Sequence, residues 1–169
     1  MENTLFRRAG AWRWLAALLL GLAGLLLNSC STSRELPSKL ITFGFQTLDP
    51  QVGIPVVMPI TKLTYRCIPV TDLTELDLES VSVGVSQNVR CLVFQFNQDG
   101  QRKLWRDTAL HPGLMMYTMV NGAVIGACMI EQPLEDAQMT VFVEIPDDQL
   151  MQYAKDLQDS INKLQAMRR

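Results

Sequence analysis

The sequence predicts an α+β domain: a mainly antiparallel sheet with two helices packed on one face. Three observations predict it. Short segments of period-two alternation recur through the chain, an Asn121-Gly122 pair sits between two of them, and two helical patterns separate and close the series. The order read along the chain is strands, helix, three strands, helix.

The elements follow in turn. Leu40 to Gln46 carries Ile41, Phe43 and Phe45 in alternation, as a strand requires. Residues 49–61 hold Pro50, Gly53, Pro55 and Pro59, so they read as an irregular connection. Lys62 to Ile68 alternates, with Leu63, Tyr65 and Cys67 on one side. Val81, Val83 and Val85 alternate with Ser82, Gly84 and Ser86, which describes a half-buried strand. Arg90 to Phe96 is apolar on both faces and reads as a central strand.

A helix follows. Asn97 is a good N-cap and Asp99 places negative charge near the positive helix start. Leu104, Trp105 and Thr108 are expected to face the sheet, and Pro112-Gly113 stops the helix by His111. Asn121-Gly122 between Leu114–Val120 and Ala123–Ile130 predicts a tight hairpin, because a type I′ turn needs positive φ at both central residues. A strand over Met139 to Ile145 ends at Pro146. Asp147 then caps a last helix, on which Leu150, Tyr153, Leu157, Ile161 and Leu164 form one apolar stripe.

The N-terminus is of another kind. Arg7, Arg8 and Arg13 precede an uninterrupted apolar run from Trp14 to Leu27. That run is shorter than the roughly 20 residues of a bilayer-spanning helix, and matches the h-region of a secretory signal. Leu27-Asn28-Ser29-Cys30 resembles the lipobox of bacterial lipoproteins. The resemblance implies a signal peptide over 1–29, diacylglycerol on the Cys30 thiol, and acylation of the new Cys30 amine. Ser31, not being Asp, then implies the outer membrane, facing the periplasm. Residues 30–39 read as the lipidated terminus and a polar tether broken by Pro37, and 40–169 as one domain.

Losing Arg7, Arg8 and Arg13 from 15 basic residues, and Glu2 from 17 acidic ones, leaves 12 and 16, a net charge of −4. A mildly acidic domain lacks the electrostatic footprint of a nucleic-acid binder. Cys67, Cys91 and Cys128 have no metal or redox spacing. They read as buried apolar thiols, with one bridge plus a free cysteine as the alternative.

Residues 79–163 resemble the periplasmic head domain of the SecD translocase subunit. Leu92-Val93-Phe94-Gln95-Phe96-Asn97-Gln98-Asp99-Gly100, then Leu104, Trp105 and Thr108, resembles its strand-helix unit. Met116-Tyr117-Thr118-Met119-Val120-Asn121-Gly122-Ala123-Val124-Ile125-Gly126-Ala127 resembles its hairpin, and Phe142-Val143-Glu144-Ile145 with the last helix its closing elements. The chain departs from the pattern at Cys128, where the family has Pro, and at Glu135-Asp136-Ala137-Gln138, which replaces a Gly-rich turn. The resemblance implies a module that contacts extended or unfolded polypeptide, without the membrane bundle that couples SecD to proton flow.

Nothing in the residues assembles a catalytic or metal site. His111, the single histidine, reads as a helix terminator lacking a nucleophile partner. Asp72, Glu75, Asp77 and Glu79 lack calcium-loop spacing and read as a solvated turn. Phosphate-loop and dinucleotide glycine patterns are absent, so no cofactor and no small-molecule substrate are expected. The methionines read mainly as core filling. Met115 and Met116, adjacent in a strand, must point to opposite faces, which leaves one for a contact surface.

The expectation is therefore a non-enzymatic, membrane-anchored lipoprotein held by acylated Cys30, whose partner is a protein or polypeptide. The alternative is a structural subunit of an envelope complex, docking through its sheet edge or its C-terminal helix.

Overall fold

The computed structural model describes residues 39–168. The signal segment 1–29, the lipidation site Cys30 and the tether as far as Ser38 lie outside the described residues. Ten backbone elements follow: β1 (Ile41–Gln46), β2 (Ile54–Val57), β3 (Thr64–Thr74), β4 (Leu78–Ser86), β5 (Val89–Phe96), α1 (Gln98–Leu110), β6 (Met115–Val120), β7 (Ala123–Met129), β8 (Gln138–Val143) and α2 (Asp147–Arg168). A 3-10 turn over Glu75–Asp77 joins β3 to β4. All eight strands form one antiparallel sheet in the order β2-β3-β1-β6-β7-β8-β5-β4.

The predicted α+β class is the one observed, with both helices on one face. Leu104 of α1 and Leu150, Ala154, Leu157 and Ile161 of α2 share one core with Phe43, Leu92, Phe94, Met116 and Val141 from the sheet. Three strands separate β1 from β5 in the sheet, yet the Phe43 ring lies 6.1 Å from Phe94 and 5.8 Å from Phe96. The sheet therefore curves strongly around this core. A second, smaller core lies on the other face, where Val56, Met58, Cys67, Tyr117, Met119, Val124 and Ala127 pack together. The pleat explains the division: Met116 and Val120 point to the helices, Tyr117 and Met119 away from them.

Local expectations hold where the chemistry is local. Asn97 caps α1, its side chain accepting the Gly100 N–H at 2.9 Å. His111 ends that helix and stacks on Phe45, ring centroids 4.1 Å apart. Asn121 and Gly122 have φ of 52° and 79°, the left-handed pair that a type I′ hairpin requires. Gln87 and Asn88, at 52° and 63°, make the same turn between β4 and β5.

Several expectations need correction. Residues 49–61 are not wholly irregular, since Ile54–Val57 is an edge strand, and an edge tolerates Pro55. β3 does not stop at Ile68 but runs through Pro69 to Thr74. Trp105 is about half exposed, one residue being a 100° turn from buried Leu104. Asp147 is the first helical residue of α2 rather than its cap; the Pro146 carbonyl accepts the first bonds, from Gln149 and Leu150.

The acidic run is also more than a solvated turn, because Asp77 is buried. Its carboxylate accepts the Lys103 ammonium at 2.7 Å and the Thr74 backbone N–H at 2.9 Å. Lys39, placed in the tether by the sequence, belongs to the domain. Its carbonyl accepts the Ser160 hydroxyl, and its ammonium lies 4.9 Å from the Tyr153 ring centroid.

Candidate functional site

The helix-free face carries a cleft of about 1030 Å³ where β7 and β8 part. Its origin is a ladder that stops early. β7 and β8 pair only at Gly126↔Val143 and Ala127↔Phe142, although β7 runs on to Met129 and β8 begins back at Gln138. The connecting loop holds them apart. Ile130 is bound to the β6 side, donating to the Leu114 carbonyl and accepting from the Gly113 N–H. Ala137 is bound to the β5 side, its carbonyl accepting the Phe96 N–H at 2.7 Å. Between these anchors the loop rests on α1, where Leu134 N–H donates to Thr108 Oγ1 at 3.0 Å and Gln101 donates to the Glu135 carbonyl at 2.7 Å.

The lining is part apolar and part acidic. Met58, Met115, Met129 and Phe142 contribute apolar surface, and Glu131, Glu135, Asp136 and Glu144 carry the charge. Among the described residues no lysine or arginine lines it. Met115 is the methionine turned away from the main core, opposite fully buried Met116, and packs partly buried against the smaller one, as strand alternation requires.

One carboxylate has a structural task. Glu144 accepts the N–H groups of Ile60 and Thr61 at 2.7 and 3.0 Å and the Thr61 hydroxyl at 2.7 Å. Burial raises its pKa, but the hydrogen bonds from Thr61 and Ile60 outweigh that and hold it below the usual value. This latch ties the β2–β3 turn across the helix-free face and brings Met58 to the cleft.

No protein-family model and no curated protein matches the chain. Solved structures do. The described domain shares its fold with part of SecDF. One SecDF structure, reported as that of a membrane component that enhances protein export, superposes with a TM-score of 0.53 at 13% identity, covering 73% of this chain and 62% of that one. SecDF in its super-membrane-facing form gives 0.55 at 14% identity, covering 73% and 18%. This chain thus spans less than two thirds of either. At such identities the likeness is one of fold, and it extends over a larger share of the chain than residues 79–163.

Of the residues weighed from sequence, His111 is occupied with helix capping. Its Nδ1 lies 2.8 Å from the Asp107 carbonyl. The three cysteines of the domain are free and buried, and burial pushes Cys67 up to about 11 and Cys128 to about 12. Among the described residues no group of three or more His, Cys, Asp or Glu side chains is placed to hold a metal ion, and no helix is long and apolar enough to cross a membrane. The cleft itself escaped the sequence reading. Its local signals were Met115 beside Met116, and the acidic Glu135-Asp136 where the resembling family has glycines.

Proposed function

We propose that this chain is an exported, lipid-anchored binding module, non-enzymatic, whose cleft between β7 and β8 engages polypeptide in the bacterial envelope. The methionine-lined cleft carries the reading. Methionine is flexible and polarizable, so a surface built on it adapts to side chains of varied shape. The cleft is open to solvent, as a site for a passing chain needs to be. The fold shared with SecDF, described as enhancing protein export, supports a role in envelope protein handling.

The anchor rests on Leu27-Asn28-Ser29-Cys30. Acyl chains on Cys30 would hold the domain at the outer membrane facing the periplasm, two or more chains being needed for stable attachment. The alternative is a structural subunit docking through its sheet edge or its terminal helix, and the helix gives it no support, since the α2 stripe is used internally: Leu150, Leu157 and Ile161 are buried on the sheet.

The test uses the full chain in detergent and a labelled, permanently unfolded protein such as reduced, carboxymethylated lactalbumin. Saturable binding of the unfolded form, and none of the native form, is expected. Equal indifference to both overturns the reading. In cells, Cys30→Ala should leave an uncleaved precursor without fatty-acid label; normal labelling would overturn the anchor.

A further inference from the structure

Residues Gln138–Val141 of β8 pair with β5 on one side and, among the described residues, with no strand on the other, because the β7 ladder ends at Ala127↔Phe142. A strand side without a partner presents N–H and C=O groups in the spacing that another extended backbone matches. The sheet's outer rims are differently provided. At β4, the Gln158 side chain accepts the Val81 N–H at 2.7 Å and the Gln165 amide donates to the Leu78 carbonyl at 3.1 Å, so α2 side chains occupy that rim. At β2, Pro55 removes a donor. The open strand side in the fork, by contrast, borders a cleft.

The side chains define what fits. Met115, Met129 and Phe142 supply apolar surface, and Glu131, Glu135 and Asp136 supply negative charge, with no lining cation among the described residues. An extended segment shows alternate side chains to opposite sides. We propose that the fork takes an extended polypeptide segment as an added strand, pairing with the open side of Gln138–Val141, in which apolar residues alternate with lysine or arginine. Apolar residues turn inward to the methionines and the cations outward to the acidic rim. This rests on the polypeptide-binding reading above and specifies its mode and its preferred sequence.

Titrations of the full chain in detergent with fluorescent, end-blocked peptides test it. The probe is a short peptide of alternating valine and lysine. The first comparison is the same peptide with alternate backbone amides N-methylated, which removes donors and leaves the protein untouched. The second replaces lysine by glutamate. Both changes should weaken binding by about tenfold or more. Exchanging Glu131, Glu135 and Asp136 for lysine should reverse the charge preference. If the N-methylated and parent peptides bind alike while unfolded lactalbumin also binds, strand pairing is overturned and the polypeptide-binding reading stands. If neither peptide nor lactalbumin binds, both fall. A dimer of this chain that the valine–lysine peptide does not dissociate would mean that a second copy fills the fork, and would also overturn the proposal.

Discussion

The Glu144 carboxylate accepts the Thr61 hydroxyl at 2.7 Å, joining the end of β8 to the turn between β2 and β3, 83 residues earlier in the chain. With the two backbone donors of Ile60 and Thr61 it forms a three-bond latch. Glu144→Ala should cost about 1 kcal/mol at neutral pH, a figure kept low because the site is screened by water. The folded-state pKa lies below the unfolded one, so the contribution is present above the ordinary glutamate range near 4.3 and fades as pH falls through the lower folded value. Denaturant midpoints of parent and variant should therefore converge in acid; a constant gap would show that the latch is not the cause.

Gly126 sits where β7 and β8 make their short contact. A Cβ there would lie 2.3 Å from the Phe142 carbonyl oxygen and 2.8 Å from Val143 Cα, both backbone atoms that cannot swing aside. Gly126→Ala should destabilise by about 2 kcal/mol, as overpacking does, and widen the fork. An unchanged melting temperature would contradict the register of Gly126 with Val143.

Helix α2 contributes Leu157 and Ile161, both fully buried, to the main core. Leu157→Ala should cost about 3 kcal/mol. Ending the chain after Pro146 should abolish cooperative unfolding, because the sheet loses the cover over Val81 and Leu92. A truncated chain that melts as sharply as the whole would make α2 an arm rather than a lid on the core.

The thiols offer a chemical check. With Cys67 near 11 and Cys128 near 12, only about one in a thousand or fewer is thiolate at pH 8. Peptide mapping after iodoacetamide treatment should find neither modified in the folded chain and both after denaturation. Rapid labelling of either in the folded state would contradict its burial.

What the residues disclosed in advance were the features decided within a few positions. Asn121-Gly122, the Asn97 cap and the stripe from Leu150 to Ile161 each follow from backbone geometry or helical spacing. Prolines hid β2, because edge strands obey weaker rules than central ones, and Pro69 opposite Gly44 hid the reach of β3. The burial of Asp77 depends on Lys103, 26 residues away, and the latch on Glu144 and Thr61. The fork is harder still. It depends on where a ladder stops, which is set by Ile130 joining Leu114 while Ala137 joins Phe96, and no period in the chain encodes that competition.

The glutamines that α2 lays along β4 have an effect beyond this one molecule. Chains crowded side by side would meet first at their outermost strands, and strands that find each other there grow into fibres. With Gln158 and Gln165 filling one rim and Pro55 interrupting the other, neighbours have little to zip onto. Such rims let molecules be packed densely without their outer strands running together.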